Sequence, residues 1–421
     1  MLKKWLVGLV ACASLSGASA VSAAKIDFDQ GVDVKGVIQS IQAQVAQQTK
    51  AEKAGMANWT IMVYVNAKNN LEKFGLSDVN EMEKIGSTDK VKIAVELGRI
   101  SGYDTSDGDW KGQRRYIIQK DNDTKRVTSP ILQEIPKGDM GSWNHMVEFV
   151  KWAKEKAPAQ HYMLVVWNHG SGWDKAKASD IWIRGISYDD ETGNHMSTPD
   201  LGKALAALGK TDILAMDACL MQMAEVGYQV KDYTDYIVAS EETEPGDGYT
   251  YDTFLGPLAA KPSMSALELS KVTVKSYGDH YGAAGEAGTT SAVQSSTLNK
   301  LPSLLDGWTK AVMAANEAAA VKAAHSQAQQ FYTSDNKDLL HFVQLVDAAT
   351  KDAAVKSKGA ELESFLANSV IVANWAGGDT MANAKGLAIY LPDYGYSSAY
   401  GELAWAKAGT WPQFAQWVKG L

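Results

Sequence analysis

Two side chains in this sequence could act together as a base and a nucleophile: the imidazole of His169 and the thiol of Cys219. Each stands just past an apolar run. His161-Tyr-Met-Leu-Val-Val-Trp167 leads into Asn168-His169-Gly170-Ser171-Gly172-Trp173, and Ile213-Leu-Ala-Met216 leads into Asp217-Ala218-Cys219-Leu220-Met221. A thiol at its ordinary pKa of about 8.5 is only a few per cent thiolate at neutral pH. A strand-to-helix turn would help it, because helix N-terminal amides favour negative charge. An imidazole within reach would take or share its proton. The glycines flanking Ser171 let the backbone approach a carbonyl closely, and the amides of Gly170 and Cys219 are natural donors to an oxyanion. Ser171 is a rival nucleophile, but its setting lacks the Gly-x-Ser-x-Gly elbow. No His-Glu-x-x-His occurs, which argues against a zinc hydrolase. Read singly, Asn168-His169-Gly170 is equally a strand-ending turn and Cys219 equally a buried core thiol.

The elements that must position this pair are buried strands. Neither apolar run alternates, which suits parallel strands covered on both faces. Their carboxyl ends share one sheet edge, where open α/β sheets place their chemistry. Upstream, Trp59–Val65 and Val91–Leu97 read as two further strands, with a helix carrying Leu71, Val79 and Met82 between them. Ser142 can cap a helix from Trp143 to about Lys156, and Thr198-Pro199 starts a helix through Leu208 with Pro at its first position. After Cys219 the spacing of Met223, Val226 and Val230 is helical, and Tyr236–Ser240 is the next strand. Strands alternating with helices predict an α/β fold with a mostly parallel sheet flanked by helices on both faces. From about residue 262 the chain becomes a mixed α+β extension. Its helices lie near 264–282, 303–331 and 337–350, its strands at Thr289–Val293 and Gly386–Pro392, and a closing helix carries Trp405, Trp411 and Trp417.

Of the 421 residues, 45% are hydrophobic and 21% charged, which is ordinary for a globular protein. Residues 1–23 read as an export signal, with Lys3 and Lys4, an apolar stretch from Trp5 to Ala13, and a small-residue cleavage site. The apolar stretch is shorter than the roughly 20 residues a membrane span needs, and no other run reaches that length. A lipid anchor at Cys12 is the minor alternative. Removing Lys3 and Lys4 from 41 basic residues, against 49 acidic ones, leaves a net charge of −10, which argues against nucleic acid as a partner. It also leaves Cys219 as the single thiol. An exported protein ordinarily pairs its cysteines or lacks them, so a solitary one is either inert or a nucleophile.

The predicted organisation is a signal over 1–23, a pro-segment or linker helix over 24–57 with Val34, Ile38, Ile41 and Val45 on one face, a core over 58–260, and the extension over 261–421 packed on that core. An insertion at 174–198 carries Lys175, Lys177 and Arg184. Asp189-Asp-Glu-Thr-Gly193 offers oxygen ligands, but its spacing matches no calcium loop, so it reads as a solvated turn. Glu241-Glu-Thr-Glu-Pro-Gly-Asp-Gly-Tyr249 reads as a loop too acidic and glycine-rich to be buried.

Four ordered stretches, Trp59–Asn66, Trp167–Trp173, Met216–Met221 and Ser240–Tyr249, together resemble the signatures of clostripain-type cysteine peptidases, a family of the caspase-like fold group with gingipains and legumains. The resemblance covers roughly 59–256 and returns at 386–392. It implies a caspase-like fold and a His/Cys dyad, with His169 as the base and Cys219 as the nucleophile. It implies cleavage of protein or peptide substrates after Arg or Lys, with Asp217 and Asp247 at the family's acidic specificity positions. A buried guanidinium needs a carboxylate partner, which agrees. Otherwise Asp217 accepts hydrogen bonds from turn amides and Asp247 is a plain loop acid. Self-cleavage after the catalytic His would fall at Lys175, Lys177 or Arg184. No cofactor is required; some members depend on Ca²⁺, and no calcium site is assigned here. Tyr249 stands where Trp is commoner in the family. The rival functional reading is an idle peptidase-like protein that holds basic peptides.

Overall fold

The computed structural model describes residues 56–173 and 185–421, with Gln39 and Gln42 ahead of them. The chain divides into Met1–Gly55 and Met56–Leu421. In the first unit Gln39 and Gln42 are helical and exposed; the expected signal and Cys12 lie outside the described residues.

The second unit is built on a nine-stranded sheet. The first half of the chain supplies β1 (Ala57–Asn66), α1 (Glu72–Ile85), β2 (Val91–Arg99), β3 (Gly112–Ile117), β4 (Ile131–Ile135), α2 (Trp143–Lys156), β5 (Ala159–Trp167), β6 (Ile186–Asp189), β7 (Asn194–Met196), α3 (Thr198–Leu208), β8 (Thr211–Asp217), α4 (Ala224–Val230) and β9 (Thr234–Ala239). The second half supplies α5 (Tyr251–Ala260), α6 (Ala266–Ala284), β10 (Gly288–Gln294), α7 (Leu301–Ala314), α8 (Ala318–Gln327), β11 (Asn336–Asp338), α9 (Leu339–Ala349), α10 (Ala353–Phe365), β12 (Ile371–Gly377), β13 (Ala388–Tyr390), α11 (Ala404–Ala408) and α12 (Trp411–Lys419). Strand order is β12-β10-β9-β8-β5-β1-β2-β3-β4. The five central strands, β9 to β2, are parallel, and the two at each edge are antiparallel.

The central strands read as unbroken apolar runs because both faces are covered. On β5, Met163, Val165 and Trp167 join one core while Leu164 and Val166 join the other; β8 does the same with Ile213 and Ala215 against Leu214 and Met216. One face is sealed by α1, α5 and α6 through Leu76, Val79, Phe254, Leu255 and Leu269. The other carries α2, α3, α4 and most of the second half, through Phe149, Leu201, Leu205, Val226 and Trp308.

Several elements differ from the sequence reading, which left α5 and α10 unassigned. The expected helix over 303–331 is broken into α7 and α8 at Asn316, whose φ of 55° no helix continues. The strand expected at Gly386–Pro392 is short and pairs with β11 outside the main sheet. β12, not foreseen, adds an antiparallel edge strand beside β10. Through β10 and β12 the 261–421 segment enters the same sheet as the core strands.

Candidate active site

Register places the two reactive groups. The β5–β8 ladder pairs Trp167 with Asp217, its last rung. The Asn168 amide adds one more bond to the Asp217 carbonyl at 3.2 Å. His169 and Cys219 each lie two residues beyond that rung. Neighbouring strands stand about 4.8 Å apart, so the two residues emerge side by side at the carboxyl edge. Both line two cavities, of about 490 Å³ and about 200 Å³.

The His side of the edge is tightly tied. The Asn168 amide group donates to Asn66 O and, at 3.1 Å, to Tyr188 O, and its oxygen accepts from the Tyr188 amide at 2.9 Å. Asn66 in turn donates to the Ser187 hydroxyl and Tyr188 O. The ends of β1, β5 and β6 are thereby fastened together. His169 Nε2 bonds the Asn70 side-chain oxygen at 2.7 Å. An amide oxygen only accepts, so Nε2 carries the hydrogen and Nδ1 is the basic nitrogen. Burial holds the His169 imidazole below its ordinary pKa. Trp173, closing the motif, packs edge-on against Tyr390 and Tyr400 from the second half of the chain.

On the Cys side, the residue after Cys219, Leu220, adopts φ 64°, a left-handed conformation costly for a branched apolar side chain. The turn persists because the Leu220 amide donates to Glu242 O at 3.0 Å and the Gln222 amide to Ser240 O at 2.9 Å. The Glu244 amide donates to Cys219 Sγ at 3.3 Å. Burial raises the Cys219 thiol above its ordinary pKa; the amide bond opposes that shift, and the Glu242 and Asp217 charges add to it. Burial thus opposes charge on both side chains.

Gly170 sits against Cys219: a Cβ there would come within 2.5 Å of Cys219 O. It also lines the larger cavity with Cys219. Ser171, the rival nucleophile, is buried, and its oxygen accepts from the Gly185 amide at 2.8 Å and bonds Tyr188 Oη at 3.0 Å. That oxygen holds β6 in place.

The acidic positions separate. Asp217 is buried and lines the smaller cavity. Its oxygens accept from the Tyr249 amide at 3.1 and 3.2 Å and from Tyr251 Oη at 2.8 Å, and burial pushes its pKa up to about 6. Asp247 is exposed on the loop and is not among the residues lining that cavity. Glu244, which sequence reading passed over, does line it. The Glu244 carboxyl is turned inward, sharing a hydrogen bond with the Asp217 carboxyl and accepting from the Ala218 amide. Burial first, then the charge of Asp217, pushes its carboxyl well above the usual range. The loop read as too acidic to be buried thus buries Glu241 and Glu242 and turns Glu244 inward; the sequence clue was the cluster of three glutamates before Pro245.

The Asp189–Gly193 turn is not merely solvated. Asp189 is buried and bonds Lys68 Nζ at 2.9 Å, and Glu191 bonds the same ammonium at 2.6 Å, so a side chain already supplies the cation there. Among the described residues no group of three or more His, Cys, Asp or Glu is placed to hold a metal ion. Lys175, Lys177 and Arg184 lie outside the described residues. No described helix is long and apolar enough to cross a membrane.

Comparison with known proteins agrees with this geometry. The Clostripain family model matches residues 63–417. Clostripain of Hathewaya histolytica is 29% identical over 240 residues, covering 52% of this chain and 45% of that one. The chain thus spans under half the length of that curated relative. Among solved structures, a secreted C11 cysteine protease from Bacteroides thetaiotaomicron bound to an irreversible peptide inhibitor is 20% identical, with a TM-score of 0.63, over 85% of this chain and 100% of that one. An inactive zymogen C11 protease from Parabacteroides distasonis gives 20% and 0.63 over 84% and 98%. The fold is that of the C11 proteases, a mainly parallel caspase-like sheet between helices.

Proposed function

The chain belongs to the clostripain family of cysteine peptidases, and from that premise we propose that it is an exported endopeptidase cleaving after Arg or Lys through His169 and Cys219. The observation that carries this reading is the emergence of both residues beyond one rung of the β5–β8 ladder, on the walls of the same two cavities. The thiol is neutral at rest, so attack and proton transfer go together. Sγ bonds to the scissile carbonyl carbon as its proton passes to His169 Nδ1. The amides of Gly170 and Cys219 receive the oxyanion. The imidazolium then protonates the departing amine, and water drawn by the neutral imidazole hydrolyses the thioester. Asn70 holds the ring throughout.

The acidic lining of the smaller cavity supports a basic side chain before the cleaved bond. Residues 1–23 support export. Lys175, Lys177 and Arg184 are the candidate sites of self-cleavage, which requires no cofactor.

The test is hydrolysis of fluorogenic peptides ending in Arg, Lys or a neutral residue by wild type, Cys219→Ala and Ser171→Ala, with intact masses of each. Turnover of basic peptides lost only in Cys219→Ala is expected, with the 174–184 segment cut in wild type alone. Binding without turnover in wild type overturns the reading in favour of an idle peptide-holding protein.

A further inference from the structure

The larger cavity lies across His169 and Cys219 from the smaller one. The smaller is lined by residues that precede the reacting pair at each strand end, 167–168 and 217–218, and by the loop from Glu244 onward. The larger is lined by those that follow the pair, 170–171 and Leu220, and by Thr243 ahead of that loop. A peptide whose basic side chain enters the smaller cavity therefore carries its scissile bond between the two, and the residue on the departing amine faces the larger. At about 490 Å³ that cavity has the size of a small-ligand cleft. Of the five large hydrophobic side chains exposed among the described residues, two stand on its walls: Tyr332, 77% exposed, and Tyr103, 52% exposed. They arrive from opposite sides of the β5–β8 pair. Tyr103 follows β2, and its hydroxyl donates to Asp190 Oδ2 at 3.1 Å, just past β6. Tyr332 precedes β11, and its amide donates to the two Glu242 oxygens at 3.1 and 3.0 Å, just past β9. Buried charge fixes both backbones. Glu242 is buried and spends its carboxylate on that amide and its neighbour's, Thr243 at 2.6 Å. Beside Tyr103, the Asp104 amide donates to Glu72 at 2.9 Å and its carbonyl accepts from Arg99 at 3.0 Å, and Glu72 and Arg99 are themselves a buried ion pair. Rings left bare on anchored backbones make a binding wall, not core. Among the described residues no Lys or Arg lines the cavity, and its one carboxylate, Asp190, accepts the Tyr103 hydroxyl.

We propose that the larger cavity is a second recognition subsite, that it receives a large apolar side chain, aromatic foremost, from the substrate residue immediately after the cleaved bond, and that Tyr103 and Tyr332 determine this preference. Rings on two walls offer faces and edges to a third ring and exclude water around it. A side chain seated there also holds the departing amine beside His169, which protonates it. The preferred junction is thus a basic residue followed by an aromatic or large aliphatic one. The proposal rests on the reading of the chain as a peptidase acting after basic residues.

The experiment uses internally quenched peptides that differ only in carrying Phe, Leu, Gly or Lys immediately after a single Arg, with the cut bond located by mass. A second set carries Phe or Gly immediately before the Arg. Wild type is expected to cleave the Arg-Phe peptide with a kcat/KM about 10- to 100-fold above that of Arg-Gly, the range open to one apolar side chain in a pocket. Tyr332→Ala and Tyr103→Ala are each expected to lower that Phe-to-Gly ratio about 5- to 10-fold, and Tyr332→Phe to keep it. A purely structural role would slow both peptides together and leave the ratio alone. Tyr394→Ala removes a ring that is 80% exposed and not among those lining the cavity, and is expected to keep the ratio within threefold. The proposal is overturned if the wild-type ratio lies within threefold of unity, or if neither alanine variant moves it more than threefold. It is equally overturned if Lys after the Arg outruns Phe, which would assign the site to Asp190, or if the variants alter the set changed before the Arg instead. A separate arm measures anisotropy of labelled Arg-Phe and Arg-Gly peptides on Cys219→Ala with and without Tyr332→Ala. A wild type that turns over no basic peptide defeats the peptidase reading, and this arm then decides the cavity by itself. Tighter binding of the Phe peptide, abolished by Tyr332→Ala, keeps the subsite; equal binding of the two peptides ends it.

Discussion

Replacing Gly170 by Ala isolates the contact between the two halves of the dyad. An added Cβ would stand 2.5 Å from Cys219 O, 3.0 Å from Ala218 Cβ and 3.0 Å from Met221 Cγ. All three neighbours belong to the turn that carries the nucleophile. A carbon and a carbonyl oxygen normally meet no closer than about 3.3 Å, so the turn must retreat by about 0.8 Å. The turn is already committed to a left-handed Leu220 and has little freedom to absorb the shift within itself. Overpacking of this kind costs about 1–3 kcal/mol of stability. Its larger effect is on rate, because a displacement near 1 Å in a reacting group costs on the order of 100-fold. We expect kcat/KM on an Arg peptide to fall about 30- to 100-fold, with iodoacetamide still labelling Cys219 stoichiometrically. The control is Gly209→Ala, where φ is 70° but nothing lies within 4 Å of the Cβ: it strains the backbone, lowers stability and leaves kcat/KM alone. Stopped-assay kinetics and urea melts on both variants give the comparison. Activity of Gly170→Ala within threefold of wild type would refute the claim that the close approach at Gly170 holds the Cys219 turn in place against His169.

Two further predictions concern titrating groups. Asn70→Ala removes the 2.7 Å bond to His169 Nε2 and should lower kcat about 5- to 10-fold with little change in KM, the worth of one neutral hydrogen bond. Asn70→Asp should instead raise the imidazole pKa and move the acid limb of kcat/KM to higher pH; an unmoved limb counts against the contact. Glu225 is buried, accepts from the Tyr390 amide at 3.0 Å and Tyr400 Oη at 2.6 Å, and is pushed by burial up to about 7. Its folded pKa lies above the unfolded value near 4.3, so the native state holds the extra proton between those values, and stability present at low pH is lost as pH rises to about 7. The loss is about 4 kcal/mol. Glu225→Gln should flatten it, so urea melts at pH 5 and pH 8 should show the variant gaining relative to wild type at the higher pH; an equal difference at both would sink the assignment.

The meeting of His169 and Cys219 at one sheet edge was legible in the sequence because it depends on strand ends, and strands buried on both faces announce themselves as apolar runs. Ser142 and Thr198-Pro199 likewise marked helix starts correctly, although the side chain that caps α3 is Ser197, whose hydroxyl accepts from the Asp200 amide at 3.2 Å. β12 was hidden because its residues are only half-covered and its polar Asn374 and terminal Gly377 break any pattern. The split at Asn316 was hidden because flanking alanines read as helix whatever the backbone does between them. Glu244 was hidden for a different reason. An acid is buried only by what closes over it, and here the closure comes from loop packing against β8 that no local pattern encodes. Asp247, three residues later in the same acidic loop, gave the same local signal and lies in solvent.

The reactive atoms are spaced by the interval between hydrogen-bonded strands, a dimension that backbone geometry sets and the intervening peptide does not. The stretch joining the two signatures enters this arrangement only where Gly185 and β6 tie back to Asn168 and Ser171.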